Sequence, residues 1–166
     1  MKKILLLLLV CSTIQSCYYL GAAIEAPKMR SEYSEKNNAI PPDFGMNNTV
    51  LILKKRGGNY NRPLKSAIKK YLGEYVYLEV KENVDEKYQD KNKYRYVFDY
   101  SNGKSFSTTT KYGNLAPTTD TKTLKKFFIY DRLLDKTYQS GAEFHQFQKG
   151  LKVYFENLEI KRQSVK

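Results

Sequence analysis

The segment that decides the fold reads Lys93-Tyr94-Arg95-Tyr96-Val97-Phe98-Asp99-Tyr100. A β-strand turns successive side chains to opposite faces, so this alternation of aromatic with other residues predicts a strand. One face is expected to carry Tyr94, Tyr96, Phe98 and Tyr100. The dipeptide Asn102-Gly103 that follows is the favoured two-residue hairpin turn, which predicts that residues 105–111 form the returning strand.

Further strands are predicted on both sides of this segment. Residues 49–54 are apolar on both faces, which is typical of a central strand that is covered by other layers. Residues 75–80 and 125–131 also have strand character, and residues 137–139 are expected to fold back on the latter. The sheet is therefore expected to contain four to six strands.

Two helices are predicted from apolar residues that recur three and four positions apart. The first follows Asn61 and ends at Gly73, and its apolar side consists of Leu64, Ala67, Ile68, Tyr71 and Leu72. The second begins at Ala142 or Glu143, and its stripe consists of Phe144, Phe147, Leu151, Tyr154, Phe155 and Leu158. The order β-α-β-β-β-β-α predicts an α+β fold, a small two-layer sandwich with both helices on one face of a mostly antiparallel sheet.

The N-terminus has the pattern of a secretory signal. Lys2-Lys3 precede an apolar run over residues 4–10, and Ile14-Gln15-Ser16 lead directly into Cys17. An aliphatic residue three positions before a cysteine, with a serine just before it, resembles the lipobox of bacterial lipoproteins. The resemblance implies that residues 1–16 are a signal peptide and that Cys17 becomes a diacylated N-terminal residue.

Three other interpretations of these residues compete with the lipobox. A membrane-spanning helix needs about 20 apolar residues, and the present run is less than half as long. Cleavage by an ordinary signal peptidase at Gly21-Ala22-Ala23 would leave a long cleavage region that contains two tyrosines. Lipidation of Cys11 would place the bulky Val10 directly before the modified residue.

The rest of the chain divides into a tether and one domain. Residues 17–43 are predicted to be a lipidated N-terminus and a flexible tether, because they lack apolar periodicity and contain three prolines. A single globular α+β domain is expected over residues 44–166, a usual length for one domain.

The resemblance to lipoproteins also implies a location. Tyr18, rather than an aspartate, follows the cysteine, so the product is expected in the outer membrane. No acidic stretch occurs between Tyr18 and Ala23, so the domain is expected to face the periplasm. In a bacterium with a single membrane the same anchor would place it at the cell surface.

The charge is strongly basic. The full chain carries +12, and loss of Lys2 and Lys3 with the signal leaves 27 basic against 17 acidic side chains, a net charge of +10. Nucleic acid is not expected as a partner, because the chain is exported and lysine greatly outnumbers the arginine that phosphate and base recognition favour. Two explanations stay open, namely the composition of AT-rich codons and attraction to anionic envelope material.

Few side chains of the mature chain are suited to catalysis or metal binding. No cysteine follows Cys17, so a disulfide, a thiol nucleophile and a thiolate metal ligand are all excluded. His145 is the only histidine and is expected on the surface of the last helix, so no zinc site is predicted. The segment Arg56-Gly57-Gly58-Asn59 lacks the pattern of a phosphate loop and is interpreted as a glycine turn. No metal or cofactor is therefore predicted.

Two sets of residues are candidates for function. Tyr94, Tyr96 and Tyr100 are either core residues or, if they face outward, a platform for a glycan or a protein partner. Asp99 and Asp131 both lie at strand ends, and two carboxylates on either side of a sugar bond would be glycosidase geometry.

The absence of a catalytic motif favours a protein that is not an enzyme. The predicted function is a membrane-anchored envelope lipoprotein whose domain binds or scaffolds a protein partner or an anionic envelope polymer. The alternative is a glycan-acting envelope hydrolase that uses the two strand-end carboxylates. The sequence indicates no particular oligomeric state.

Overall fold

Five strands and four helices form an α+β fold in the computed structural model, which describes residues 27–143 and 146–165. The predicted signal peptide, Cys17, Phe144 and His145 lie outside these residues. The elements in chain order are α1 (residues 27–32), β1 (Leu51–Lys54), α2 (Asn61–Ala67), β2 (Tyr75–Leu78), α3 (Val84–Lys87), β3 (Tyr96–Thr110), β4 (Thr118–Asp131), β5 (Lys136–Gln139) and α4 (Phe147–Ser164). The predicted α+β class and the predicted range of four to six strands are confirmed, and α2 and α4 correspond to the two predicted helices, whereas α1 and α3 were not predicted.

The strands form one open sheet in the order β2-β1-β3-β4-β5. The short strand β1 runs parallel to both of its neighbours, β2 and β3. The three following strands form an antiparallel meander, and the ladder between β3 and β4 is by far the longest. Thus β1 lies in the middle of a parallel trio: the chain passes from β1 to β2 on one side and then crosses over to β3 on the other.

Helices α1, α2 and α4 cover one face of this sheet, which here is called the helix face. Four rings from four segments meet there, namely Tyr33, Phe98, Phe127 and Tyr154. Their centroids are 5.3–6.0 Å apart in tilted or edge-to-face arrangements, which suit the ring quadrupoles. Gly150 lets α4 approach closely, since an added Cβ would lie 3.1 Å from the Phe127 ring.

The opposite face has a smaller apolar cluster beneath α3. Ile52, Leu78 and Val97 are buried there. The side chains of Tyr88 and Tyr94 pack against them, with ring centroids 4.7 Å apart. The rest of this face is open, so the sandwich has one thick and one thin apolar layer.

The prediction of a flexible tether is wrong for residues 27–43. Helix α1 and the segment after it place Met29, Tyr33, Ala39, Ile40 and Phe44 in the main core, each at most 2 % exposed. The carbonyl of Ala39 accepts a hydrogen bond from the Tyr154 hydroxyl, and Asn157 donates to the carbonyls of residues 30 and 33. The folded domain therefore begins by residue 27, and the rest of the predicted tether, residues 17–26, lies outside the described residues.

The predicted hairpin turn at Asn102-Gly103 is also wrong. The strand β3 continues through this dipeptide, and the pairing with β4 shifts there by one residue, which is a β-bulge. The Glu143 carboxylate accepts the Lys104 N–H at 2.9 Å and pairs with Lys126 at 3.0 Å, and these contacts lower the pKa of Glu143. An added Cβ at Gly103 would lie 2.7 Å from the Glu143 Cδ, so a larger residue here would displace the Glu143 carboxylate from the bulge.

The continuous pairing produces a two-stranded arm that extends beyond the sheet, defined here as residues 104–123. Every residue of the arm is exposed. Its strands extend about 20 Å from the bulge, given about 3.3 Å per residue. Three pairs of hydroxyls bond across one side of it at 2.8–2.9 Å, namely Ser105 with Thr123, Ser107 with Thr121 and Thr109 with Thr119.

Among residues 27–143 and 146–165, no helix combines the length and the apolar content that crossing a membrane requires.

The burial of α1 predicts the effect of truncating its side chains. Met29→Ala is expected to lower the free energy of unfolding by about 2–5 kcal/mol, because it opens a cavity in the core. Met46→Ala is the matched control, since Met46 is 61 % exposed, and it should change stability by less than about 0.5 kcal/mol. Urea denaturation of both variants measures the difference. Equal midpoints would contradict the packing of this segment into the domain.

Candidate binding surface

At the carboxyl end of β1, several charged side chains lie around an open loop. In open sheets with parallel strands, ligands bind outside the carboxyl ends of the strands where the strand order reverses, and the order β2-β1-β3 reverses at β1. The side chains that meet there are Lys54, Arg56, Asp99, Tyr100 and Lys125, and this group is called the basic corner.

Arg56 is the best-ordered cation of the basic corner. Its Nε and Nη2 atoms donate to the two carboxylate oxygens of Asp99, each at 2.8 Å, and Nη2 also donates to the Tyr100 carbonyl at 3.1 Å. The guanidinium lies 4.7 Å from the centroid of the Tyr100 ring, a cation–π distance. These hydrogen bonds to Asp99 raise the pKa of Arg56.

Two lysines complete the positive charge of the corner. The Nζ atom of Lys54 lies 3.9 Å from Asp99 Oδ2, and that of Lys125 lies 5.2 Å from the Tyr100 ring centroid and donates to the Asn102 side chain. Lys54 and Arg56 thus pair with one carboxylate, and Lys125 adds a third cation beside the Tyr100 ring. The side chains of Lys54 and Arg56 are each 43 % exposed, so solvent and solutes reach the charge.

The loop after β1 leaves its backbone uncovered beside these cations. A Cβ added at Gly57 or at Gly58 would meet no atom of the described chain within 4 Å. The φ of Gly58 is +69°, a conformation that side chains other than glycine rarely adopt. The predicted glycine turn is therefore present, and it also keeps the approach to Arg56 open.

Tyr60 lies beneath the corner with its hydroxyl unsatisfied. Its ring packs on Tyr100 with a centroid distance of 4.6 Å. The hydroxyl is buried without a hydrogen-bond partner among the described residues, and burial together with the charge of Asp99 raises the pKa of Tyr60. A buried hydroxyl without a hydrogen-bond partner lowers the free energy of unfolding by about 1–3 kcal/mol. The residues of the basic corner therefore do not give the domain its greatest possible stability.

The two strand-end carboxylates do not converge, contrary to the expectation for a hydrolase. Asp131 is paired in register with Tyr96 and Asp99 with Phe128, so the two side chains leave opposite faces of the sheet. Asp131 is fully buried and forms a double ion pair with Arg95, with Nε–Oδ1 at 2.9 Å and Nη2–Oδ2 at 2.6 Å. Because each carboxylate is held by an arginine on its own face, the pair does not flank a common cavity.

Asp131 instead belongs to a structural network. Arg95 also pairs with Asp43 at 2.6 Å, and the Tyr96 hydroxyl donates to Asp43 at 2.9 Å. Burial, followed by this hydrogen bond, raises the pKa of Tyr96, and the hydrogen bonds to Asp131 raise that of Arg95. The network connects the segment after α1 to the end of β4.

The structure separates the three candidate tyrosines. Tyr96 is 1 % exposed and belongs to the core on the helix face. Tyr94 precedes β3 and packs on the opposite face, so the expectation that all four aromatic residues share a face is wrong for Tyr94. Only Tyr100 is both partly accessible and part of the basic corner. A continuous tyrosine platform is not present on this strand.

The sequence patterns point to some members of the corner but not to their grouping. Asp99, Tyr100 and the glycine turn were candidates for separate reasons, whereas Lys54, Arg56 and Lys125 were not singled out. Lys54 and Arg56 are far in sequence from Lys125, and the parallel pairing of β1 with β3 together with the antiparallel pairing of β3 with β4 brings them to one corner.

Comparison with protein-family models, with curated proteins and with solved structures finds no match to this chain. Within the described ranges, no group of three or more acidic, histidine or cysteine side chains is placed to hold a metal ion.

The burial of Asp131 predicts a large loss of stability on its neutralisation. Asp131→Asn leaves the Arg95 guanidinium poorly compensated, which is expected to lower the free energy of unfolding by about 3 kcal/mol. The control is Asp120→Asn on the arm, whose exposed pair with Lys122 is expected to contribute less than about 1 kcal/mol. Thermal and urea unfolding compare the two, and equal losses would contradict a structural role for Asp131.

Proposed function

We propose that this protein is a membrane-anchored envelope lipoprotein whose domain binds an anionic envelope polymer without catalysis. The lipid anchor is Cys17, and the domain faces the periplasm from the outer membrane, or the exterior in a bacterium with a single membrane. The polymer binds at the basic corner through phosphate or carboxylate groups. The signal for the anchor is the lipobox-like segment Ile14-Gln15-Ser16-Cys17.

The observation that carries the binding proposal is the excess of cations around an open loop. Lys54 and Arg56 pair with Asp99, Arg56 and Lys125 lie against the Tyr100 ring, and the loop at Gly57-Gly58 leaves room for an extended ligand. The bidentate contact with Asp99 holds the Arg56 fork in one orientation, which reduces the entropy lost when an anion binds. The stacked Tyr100 ring offers an apolar surface beside the charges.

The net charge of the mature chain supports the same class of ligand. A surplus of ten positive charges attracts polyanions over the range of a Debye length, roughly 8–10 Å at physiological salt. General attraction alone does not select a site, however. The corner is distinguished from the rest of the basic surface by ordered cations, a stacking ring and an uncovered backbone.

The test of this proposal is binding of purified lipopolysaccharide to the mature chain carrying Cys17→Ser. Arg56→Gln combined with Lys125→Gln is expected to weaken binding about tenfold, because two charge-assisted contacts are lost. Binding should weaken further as salt rises. Isothermal titration calorimetry measures both effects, and lipopolysaccharide with its phosphates removed is expected to bind poorly to the unsubstituted chain.

The matched control carries Lys69→Gln and Lys81→Gln, two exposed positions with the same total loss of charge. It should bind lipopolysaccharide nearly as well as the unsubstituted chain. An equal loss in both double variants would mean that only net charge matters and would refute the corner as the site. The single variant Lys125→Gln leaves the Arg56–Asp99 pair intact. Weaker binding by this variant would therefore reflect the lost charge and not a loss of folding.

The anchor is tested separately by mass spectrometry of the protein from intact cells. The unsubstituted protein is expected to begin at Cys17 and to carry the mass of its acyl chains, and Cys17→Ser should lack them. The Cys17→Ser form should also leave the membrane fraction, since several acyl chains are needed for stable anchoring. A chain that begins at any other residue would disprove the lipobox interpretation.

A further inference from the structure

The tip of the arm places two large apolar side chains together in solvent. Tyr112 is 70 % exposed and Leu115 is 69 % exposed. The Leu115 N–H donates to the Tyr112 carbonyl at 3.1 Å, so the two residues are the first and last positions of one β-turn. Their side chains therefore form a single small apolar cap at the outermost point of the arm.

Basic residues follow this cap along the arm. Lys111 directly precedes the turn, and Lys122 and Lys104 lie further back on the two strands. The single acidic residue of the arm, Asp120, forms an exposed ion pair with Lys122 at 3.7 Å, which leaves the arm a net charge of +2. An apolar tip with a tyrosine and a basic stem matches the layers of an anionic bilayer surface, where rings occupy the interface and ammonium groups meet the lipid phosphates.

The base of the arm lies next to the point where the folded domain begins. Lys28 in α1 and Glu143 line the same cleft, and Glu143 binds the Lys104 N–H and the Lys126 side chain at the bulge. If Cys17 is acylated, the ten residues from there to residue 27 reach at most about 35 Å. The anchor thus keeps the base of the arm close to the membrane.

We infer that the tip of the arm is a second membrane contact, in which Tyr112 and Leu115 enter the interface of an anionic bilayer while Lys111 and Lys122 bind lipid phosphates. The inference rests on the proposed lipid anchor for its biological setting. The anchor converts a weak tip contact into an intramolecular one, so that a small apolar cap suffices. The two contacts together would limit how the domain tilts above the membrane.

Vesicle binding tests the tip without the lipid anchor. The mature chain with Cys17→Ser is expected to co-sediment with vesicles of phosphatidylethanolamine and phosphatidylglycerol, and less with vesicles of phosphatidylcholine alone. Tyr112→Ser combined with Leu115→Ser should reduce the partition coefficient about tenfold, since two apolar side chains no longer leave water. Both positions are exposed, so folding is expected to be unchanged.

The control combines Leu133→Ser with Leu134→Ser, two exposed leucines between β4 and β5. This variant should partition like the parent chain. Unchanged partition in the tip variant, or an equal loss in the control, would overturn the inference. Because this assay uses a chain that cannot be acylated, its result is independent of whether Cys17 is lipidated in cells.

A second measurement locates the tip in the lipid-anchored protein. The only cysteine of the mature chain is the acylated one, so Tyr112→Cys and, as control, Leu72→Cys each accept one environment-sensitive fluorophore. Leu72 is 74 % exposed and lies away from the arm. The probe at position 112 should be quenched by lipids that carry a quencher in the bilayer, and the probe at position 72 should not. Shielding at position 112 without vesicles would point to a protein partner or a second copy and would overturn the inference.

Discussion

The aromatic cluster on the helix face is the contact on which the rest of the structure depends. Tyr33 directly follows α1, and Phe98, Phe127 and Tyr154 come from β3, β4 and α4, so one set of rings holds together segments from both ends of the domain. The absence of a disulfide makes this packing the main source of cohesion. It determines where α1 lies, and therefore where any anchor at the N-terminus would meet the domain.

The same kind of ion pair has two different consequences in this fold because its exposure differs. Arg95 and Asp131 are almost completely buried, and the pair joins the end of β4 to the segment after α1. Arg56 and Asp99 form a similar bidentate pair at the open end of β1, where the arginine is nearly half exposed. The buried pair is shielded from solvent and is not accessible to a ligand. The exposed pair orients a cation that a solute can reach, and neighbouring lysines add uncompensated charge.

Local sequence patterns predicted well where most strands and the two long amphipathic segments form. They predicted less well which segments pack or pair with each other. The alternation from Tyr96 to Tyr100 and the apolar stripe of α4 come from residues close in sequence, so they could be read without the fold. The dipeptide Asn102-Gly103 is a strong local turn signal, yet Glu143 stabilises the bulge that replaces the turn. Tyr94 obeys the alternation in sequence but lies outside the strand, so its ring packs on the other face. The prolines near residue 41 suggested a tether because the core that receives Ile40 and Phe44 is built from distant residues.

The sequence by itself determined the α+β class, the approximate number of strands, the two helices α2 and α4, and the basic charge, because each depends on composition or on periodicity along the chain. It also contains the lipobox-like segment that implies an anchor. The tertiary structure alone decided where charge is left uncompensated and which apolar residues stay in water. Those properties depend on the distance between residues that are far apart in sequence, as Arg56, Asp99 and Lys125 are. They also depend on whether a strand ends or continues, which is how Tyr112 and Leu115 come to lie at the tip of an arm.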